Sequence, residues 1–485
     1  MSNCIVAPDT RTFERFQFTF PEQIESEHFI VHFTTSNADS QFVNEQWLNL
    51  QCNFGYAQSV IELAEYALAI FMEADWEMMP PDCDEGITDE ESPNHCNNFG
   101  GNALYDIYLA NDAVGLVAPE NPYPVEPYIG GFTSFMQVTP LGNDHTFVPD
   151  WSVHVIAHEL HHAIQIRYGT SVSGEPGNYA YNGWLYEQTS TYMENVIFPA
   201  SYHFLVMMGN CNITSPLTYP EISIDSSVDI YQYRSALWQK FLVEAYGDST
   251  INRLIWEGFG LETATGNPVN MFPIYESALQ TVTDGVTTLG DAYEDYALWR
   301  YFTGSRSRPG EFFMQAASYC TANLLAIEET STTFPSEKGG ARLVKLLPYE
   351  TNLVLASSAY DNLLVQHISF SEEDEILMSS IEVNGEESFF QLYNPAGDNH
   401  ALLITSEYTA EPGEEIEFTL SNTVPFMEGD ITGDSMVNIQ DIIVQINIIL
   451  HQIDPTEYQW LAADLDENNV VDVLDVILLV NLILG

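Results

Sequence analysis

Two histidines and a glutamate are spaced so that they could hold a metal ion and activate a water molecule. They are His158, Glu159 and His162, in the order H-E-x-x-H. On a helix, residues four apart lie about one turn apart on the same face, so both imidazoles can point at one cation that Glu159 flanks. A Zn²⁺ ion held by neutral histidines lowers the pKa of its bound water to about 7, and a neighbouring carboxylate takes the proton as that water attacks a carbonyl. The motif therefore predicts hydrolysis, with Glu159 as the general base.

The flanking sequence predicts that this motif lies on a buried helix. Pro149 to Ser152 supply capping residues before it, and Gly169 supplies a stop after it. Apolar residues occupy nearly all the other positions: Val155, Ile156, Ala157, Leu160, Ala163, Ile164 and Ile166. Burying histidines and a glutamate among them without partners would cost free energy, so a metal accounts for them better than a chance placement in the core. His154 and His161 lie on the same helix, and we interpret both as hydrogen-bonded core residues or as supports of the ligands.

A catalytic zinc ion usually has three protein ligands, so a third must come from later in the chain. After a loop from Gly169 to Gly183 comes Trp184-Leu185-Tyr186-Glu187. Here the sequence resembles the gluzincin metallopeptidases, in which H-E-x-x-H is followed by a second helix carrying W-L-x-E-G-x-A. The resemblance implies that Glu187 is the third zinc ligand.

The resemblance is incomplete after Glu187. Gln188 stands where glycine is usual, Ser190 stands in place of the alanine, and 24 residues separate His162 from Glu187. Glu194, two turns further on, is the alternative ligand, and a carboxylate that supports a ligand is its other interpretation.

A later segment could supply a donor to the transition state. Tyr231 to Leu242, closing with Ala245-Tyr246-Gly247, resembles the tyrosine-bearing helix of the same superfamily. There the tyrosine hydroxyl stabilises the oxyanion of the tetrahedral intermediate, a role worth about 3 to 4 kcal/mol of barrier. Tyr233 fits this role best and Tyr231 is the substitute, while an ordinary packed tyrosine is the competing interpretation.

The elements around these residues predict an α+β catalytic domain, zincin-like by the resemblance, over residues 1–334. Strand-like runs occur at 13–18, 28–33, 104–109 and 131–138, and a helical run covers about 58–77. If the run at 131–138 forms the sheet edge beside the metal, it could pair with an extended peptide. From about 248 to 333 the pattern is mostly helical.

The carboxy-terminal part changes character twice. Between residues 335 and 425 short strands such as 343–347, 363–368 and 416–420 alternate with turns, which predicts a β-sandwich accessory domain. Residues 426–485 then carry two acidic loops of 12 residues, each leading into an apolar helix. This last segment is predicted to be a small helical domain with two calcium loops.

The two loops have side-chain oxygens at the positions that EF-hand-like calcium loops use, with a backbone carbonyl at position 7. The ligand positions of the first loop are Asp430, Thr432, Asp434, Met436, Asn438 and Asp441. Those of the second loop, 34 residues later, are Asp464, Asp466, Asn468, Val470, Asp472 and Asp475. The duplicated loop and helix resemble the type I dockerin, which docks enzymes onto cohesin domains. Ser435 and Asn469 depart from its usual glycine.

Composition and charge limit the partners and the compartment. The 485 residues include 12 basic and 70 acidic ones, a net charge of −58, which argues against nucleic acid or an anionic membrane as a partner. The start, Met1 to Cys4, has no signal-peptide pattern, so the protein is cytosolic or its signal peptide is absent from this sequence. We favour an extracellular protein, because weak calcium loops suit the high calcium outside cells. Of the six cysteines, Cys83 and Cys96 are the pair that we expect to be bonded.

These patterns predict a secreted zinc-dependent peptidase that cleaves protein or peptide substrates through metal-activated water and attaches to a cohesin through its dockerin. Two alternatives from other classes remain open. One is a dockerin-bearing glycoside hydrolase that uses two of the many carboxylates. The other is a zinc-binding adhesion or scaffold protein without catalytic activity.

Overall fold

The structure is a computed structural model in which most of the chain is described. It describes residues 15–43, 46–83, 95–110, 114–140, 148–170, 182–263, 269–326, 332–336, 339–346, 352–358, 360–370, 375–392, 399–406, 416–421, 427–433, 436–453, 455, 457–466, 468 and 470–484. Within these residues the fold mixes helices with several sheets. No described helix combines the length and the apolar character needed to cross a bilayer.

A mixed five-stranded sheet organises the amino-terminal part. Its strands are β1 (Glu22–Glu25), β2 (Phe29–Phe33), β5 (Tyr105–Tyr108), β6 (Gly115–Pro122) and β7 (Phe132–Val138), in the order β1-β2-β5-β7-β6. The central strands β2, β5 and β7 are parallel, and β1 and β6 run antiparallel at the two edges. The central strands are almost wholly buried, as expected for parallel strands covered on both faces. The strands β3 (Ser40–Val43) and β4 (Gln46–Asn49) form a separate hairpin.

Two of the sequence-based expectations for this sheet are wrong. The run at 131–138 does form β7, but β7 lies between β5 and β6, so β6 is the edge strand. The strand run at 13–18 is irregular over its described residues 15–18, where Phe16 and Phe18 pack on the sheet against Tyr108 and Phe135. In both cases the local pattern shows an apolar extended segment, whereas its neighbours are decided by pairing with distant residues.

Helices complete this part of the fold. They are α1 (Phe54–Glu73), α2 (His154–Tyr168), α3 (Gly183–Ile197), α4 (His203–Gly209), α5 (Tyr231–Arg234), α6 (Ala236–Tyr246), α7 (Ile251–Thr263), α8 (Met271–Val282) and α9 (Leu289–Tyr301). The helices that pack directly on the sheet are α1 and α2. The α2 helix packs on β6 and β7 and against α1 and α3. Every residue from Val155 to Tyr168 is buried, which confirms the prediction of a helix surrounded on all sides.

Two further sheets form the β-sandwich that the short-strand pattern predicts. One contains β13 (Leu377–Ile381), β12 (Leu363–Phe370), β15 (Asn399–Ser406), β10 (Ala341–Leu346) and β8 (Leu325–Ala326), in that order. The other contains β14 (Glu387–Gln391), β11 (Asn352–Ala356), β16 (Ile416–Ser421) and β9 (Thr332–Ser336). Alternate residues of β15 face two cores: Leu402 and Ile404 face the sandwich interior, and Ala401 and Leu403 join the helical core beside α9.

The carboxy-terminal segment folds around a small core of its own. Its helices are α10 (Ile439–Ile449), α11 (Glu457–Ala463) and α12 (Val473–Leu484). The helices α10 and α12 follow the two acidic loops as predicted, while α11, which the sequence did not suggest, joins them. Its buried residues are Ile431, Ile448, Ala462, Ala463 and Leu479.

Disulfides link segments of the amino-terminal part. The predicted pair Cys83–Cys96 is bonded, and a second bond joins Cys211 to Cys320 across 109 residues. Cys52 is a buried thiol. Cys4 lies outside the described residues.

Candidate metal centre

The three predicted zinc ligands come together between α2 and α3. The Nε2 atom of His158 lies 3.1 Å from Oε2 of Glu187, and Nε2 of His162 lies 3.5 Å from the same oxygen. In a tetrahedral zinc site with bonds near 2.0 to 2.1 Å, ligand atoms lie about 3.3 Å apart. The spacing of these atoms therefore suits one ion held by all three side chains. His158, His162 and Glu187 are each buried.

Gln165 fixes the imidazole of His162 in the form that a metal ligand needs. Its Nε2 donates to the carbonyl of Tyr186 at 3.1 Å, which turns its Oε1 toward Nδ1 of His162 at 2.7 Å. Nδ1 of His162 must then carry the proton, and the lone pair is left on Nε2. This Nε2 is buried and makes no hydrogen bond within the described part of the chain. A cation at that position would satisfy an acceptor that is otherwise costly to bury.

Glu194 supports His158 from the side opposite to Glu187. Its Oε1 accepts a hydrogen bond from Nδ1 of His158 at 2.7 Å, the arrangement in which a carboxylate orients a metal-binding histidine. The structure thus places Glu194 behind His158, whereas Glu187 lies beside both imidazoles. Burial opposes ionisation of Glu187, but the two neighbouring imidazoles outweigh it and lower the pKa of its carboxyl to about 2.

The carboxylates of Glu187 and Glu194 also change the pKa of His158. Burial by itself lowers the pKa of His158, yet hydrogen bonds to Glu187 and Glu194 raise that pKa well above its usual value. Two ionised carboxylates around one buried imidazole attract positive charge, either as a proton on the ring or as a cation between the ligands.

A glycine that the sequence analysis missed determines the surroundings of Glu159. Gly115 begins the edge strand β6, and a Cβ atom at this position would collide with the carboxylate of Glu159. Its backbone φ lies outside the left-handed region, so space rather than conformation requires glycine here. The carboxylate of Glu159 consequently lies directly against the first residue of the sheet edge. In the sequence Gly115 stands at the start of an apolar strand, which could have marked a close contact. The residues around it do not indicate that the contact is with α2.

The two candidate tyrosines have different surroundings. The ring of Tyr233 stacks on that of His158 with centroids 6.0 Å apart, whereas the hydroxyl of Tyr231 donates to the carbonyl of Ile222 at 3.3 Å. Both lie on α5, a single turn that follows two residues with left-handed backbone, Asp229 and Ile230. For a β-branched residue such as Ile230 this conformation is strained. Tyr233 is therefore the tyrosine beside the centre.

Two polar side chains hold this strained turn in place. Arg234 donates to the carbonyls of Asp229 and Thr214 at 2.7 and 3.0 Å. Gln188, which stands where the gluzincin motif has glycine, donates to Oγ of Ser235 at 2.8 Å and so joins α3 to the break between α5 and α6. The segment from 231 was expected to be one helix, and this break at Ser235 corrects that expectation.

The two other histidines of α2 lie away from the three ligands. Nδ1 of His161 accepts a hydrogen bond from Nε2 of Gln165 at 2.9 Å, and its ring packs on Phe71 and Trp76 in the core. Burial lowers the pKa of His161 well below its usual value, so the ring is neutral. His154 stacks on His203, with ring centroids 4.0 Å apart.

The acidic loops of the carboxy-terminal segment have their own geometry. The last position of each loop, Asp441 or Asp475, is buried and accepts hydrogen bonds from backbone amides of the same loop. In the second loop, one oxygen each from Asp464, Asp466 and Asp475 lies within 4.8 Å of the others. Asp434, Ser435 and Asn469 lie outside the described residues. The remaining positions (Asp430, Thr432, Met436, Asn438, Asn468, Val470 and Asp472) are described.

Comparison with known proteins separates the two parts of the chain. Residues 428–484 match the type I dockerin domain, so the chain carries a C-terminal type I dockerin. In the rest of the chain, residues 147–273 match a family of unknown function (DUF6055). This stretch includes α2, α3 and Tyr233. No curated protein matches the chain.

Three properties follow from the match to the type I dockerin domain. Type I dockerin domains bind calcium, in agreement with the calcium predicted for the two loops. A dockerin implies interaction with a cohesin domain. Proteins with a dockerin are typically extracellular or attached to the cell surface.

Proposed function

We propose that this protein is a secreted zinc-dependent peptidase with a zincin-like catalytic fold, attached to a cohesin-bearing partner through its dockerin. The observation that carries the proposal is the meeting of His158, His162 and Glu187 around one position, with Glu159 on the same helix. These residue types and distances suit zinc. Burying these polar groups without a bound cation would cost free energy.

His158, His162 and Glu187 would hold the Zn²⁺ ion, which supplies a water molecule of lowered pKa. Glu159 would act as the general base toward a water at this site and would pass the proton on to the leaving amine. The hydroxyl of Tyr233 donates to the oxygen on which negative charge develops. Glu194 and Gln165 hold the two imidazoles in the required orientation and tautomer.

A peptide substrate is favoured by the edge strand beside Glu159. Among the described residues the outer side of β6 has no strand partner, and its first residue, Gly115, contacts the carboxylate of Glu159. An extended peptide that pairs with such an edge holds its main-chain carbonyls at regular intervals along β6, so that one of them can lie beside Glu159. A sugar chain has no backbone amides for this pairing, so a peptidase fits this edge better than a glycosidase.

The substitution Glu159→Gln tests the proposal. It keeps the size of the side chain but removes the base, so we expect bound zinc to be retained while hydrolysis of a peptide library falls by roughly 10²- to 10⁴-fold. Glu62→Gln, at an exposed glutamate of α1, is the matched control and should leave turnover unchanged.

Three outcomes would contradict the proposal. Full turnover in the Glu159→Gln variant would remove Glu159 as the base. Glycan hydrolysis that survives chelation of zinc would favour a glycosidase. A wild-type protein that binds zinc and cohesin but cleaves no unfolded protein would be an adhesion or scaffold protein.

A further inference from the structure

Glu194 has a histidine at each of its two oxygens. Its Oε1 accepts from His158 as described, and its Oε2 lies 2.5 Å from Nδ1 of His203. His154 stacks on the ring of His203. One donor atom each from His154, Glu194 and His203 lies within 4.8 Å of the other two. The mechanism proposed above uses neither His154 nor His203, so this second group of donors needs its own explanation.

Three separate helices bring these residues together. His154 is the first residue of α2, Glu194 lies on α3, and His203 is the first residue of α4. The residue before His203, Tyr202, has left-handed backbone with φ 58°. This conformation is costly for a bulky side chain, and it forms the turn that presents His203 at the start of α4.

The donors suit a cation of the zinc class. Two imidazoles and one carboxylate are preferred by Zn²⁺ and its neighbours among the transition metals, whereas Ca²⁺ and Mg²⁺ prefer oxygen alone. Glu194 is buried, and its Oε2 faces Nδ1 of His203. The side chain of His203 is 22% exposed, which gives an ion access from solvent.

The ring planes of His154 and His203 lie 15° from parallel, so their in-plane lone pairs do not yet meet at one point. A rotation of the partly buried His203 ring about its Cβ–Cγ bond brings its nitrogen toward the position between Glu194 and His154. This bond has a broad torsional preference, and bonds to the cation replace the hydrogen bond between His203 and Glu194 that the rotation gives up.

We propose that His154, Glu194 and His203 form a second site for a divalent cation of the zinc class, distinct from the position between His158, His162 and Glu187. The second site does not require the protein to be a peptidase. Where both sites are filled, they share Glu194: a cation on Oε2 draws charge from the carboxylate and weakens its hold on the His158 imidazole. Because such coupling is reciprocal, each ion then lowers the affinity for the other.

Counting bound zinc in variants of the full-length protein tests this site. Equilibrium dialysis against Zn²⁺ in excess Ca²⁺, which fills the dockerin loops, is followed by elemental analysis. We expect two Zn²⁺ equivalents in the wild type, one fewer in His203→Ala and in His154→Ala, and one fewer in Glu187→Ala. Glu187→Ala removes the other ion, so the His203→Ala, Glu187→Ala double variant should lose both.

His28→Ala is the matched control. His28 is also a half-buried histidine paired with a glutamate, with its Nδ1 2.8 Å from Oε2 of Glu65, but no second histidine completes a group there in the described structure. This control should keep both equivalents, which separates loss of a site from loss of any histidine.

The outcomes distinguish the two sites. A zinc count that neither His203→Ala nor His154→Ala lowers would overturn the second site, whatever Glu187→Ala does. A count that His203→Ala lowers and Glu187→Ala does not would support the second site and overturn the proposed catalytic centre. Retention of both equivalents in the double variant would overturn both.

Discussion

The proposed zinc centre and the dockerin calcium loops differ in how their ligands are brought together. In each dockerin loop all the ligand positions lie within 12 consecutive residues. In the zinc centre, 24 residues separate His162 from Glu187, and the ligands stand on two helices that must pack correctly. The comparison shows that a calcium loop can be recognised from its own sequence, whereas the zinc centre depends on tertiary packing.

The supporting contacts differ in the same way. Asp441 and Asp475 accept hydrogen bonds from backbone amides of their own loops, so almost any side chains nearby would preserve these bonds. His158 and His162 are oriented by the side chains of Glu194 and Gln165. We therefore expect the zinc centre to be sensitive to single substitutions around it, and the loops to be sensitive mainly to loss of their own carboxylates.

Glu187→Ala should give the largest effect. Without the third ligand the ion is lost and the attacking water returns to a pKa near 15.7, so peptide hydrolysis should fall by at least about a thousandfold. Calcium binding by the dockerin should not change, as isothermal titration would show. The matched control is Glu65→Ala, since Glu65 also pairs with a histidine but stands outside the centre. Equal loss of activity in both variants would contradict the ligand role.

Tyr233→Phe should have the next largest effect. Removing one donor to a developing oxyanion costs roughly 10²- to 10³-fold in kcat, with little change in zinc content. Tyr231→Phe is the control on the same turn, because its hydroxyl donates to the carbonyl of Ile222 instead. If Tyr231→Phe lowered kcat more than Tyr233→Phe, the assignment of the two tyrosines would have to be exchanged.

Asp475→Ala should give the smallest effect, and the effect should be confined to the dockerin. The variant loses the carboxylate that accepts from the amides of Leu465 and Asp472. Each hydrogen bond to a charged group contributes about 1.5 to 3 kcal/mol, so calcium affinity should fall by about tenfold or more and cohesin binding should weaken. Peptide hydrolysis should stay unchanged, as in the exposed control Asp361→Ala. A parallel loss of hydrolysis would mean that the two regions depend on each other.

Much of the fold could be predicted because local patterns are strong. The strands β2, β5 and β7, the helices α1 and α2, and the sandwich strands β10, β12 and β16 lie at or close to the predicted positions, and α3 lies where the resemblance implied a second helix. The position of β7 within its sheet could not be predicted, since neighbours in a sheet are chosen by long-range pairing. The break at Ser235 was missed for a related reason: Arg234 bonds to backbone carbonyls that lie outside α5, and Gln188 of α3 bonds to Ser235.

The sequence by itself determined the chemical types and the local geometry: two histidines one helical turn apart, a glutamate between them, and two complete calcium loops. These follow from backbone geometry over a dozen residues or fewer. Only the tertiary structure decided that Glu187 lies beside both histidines while Glu194 supports one of them, that Gly115 lies against Glu159, and that His203 reaches Glu194. These contacts join different helices or a helix to a sheet edge, and the packing of the whole core sets the distances between those elements.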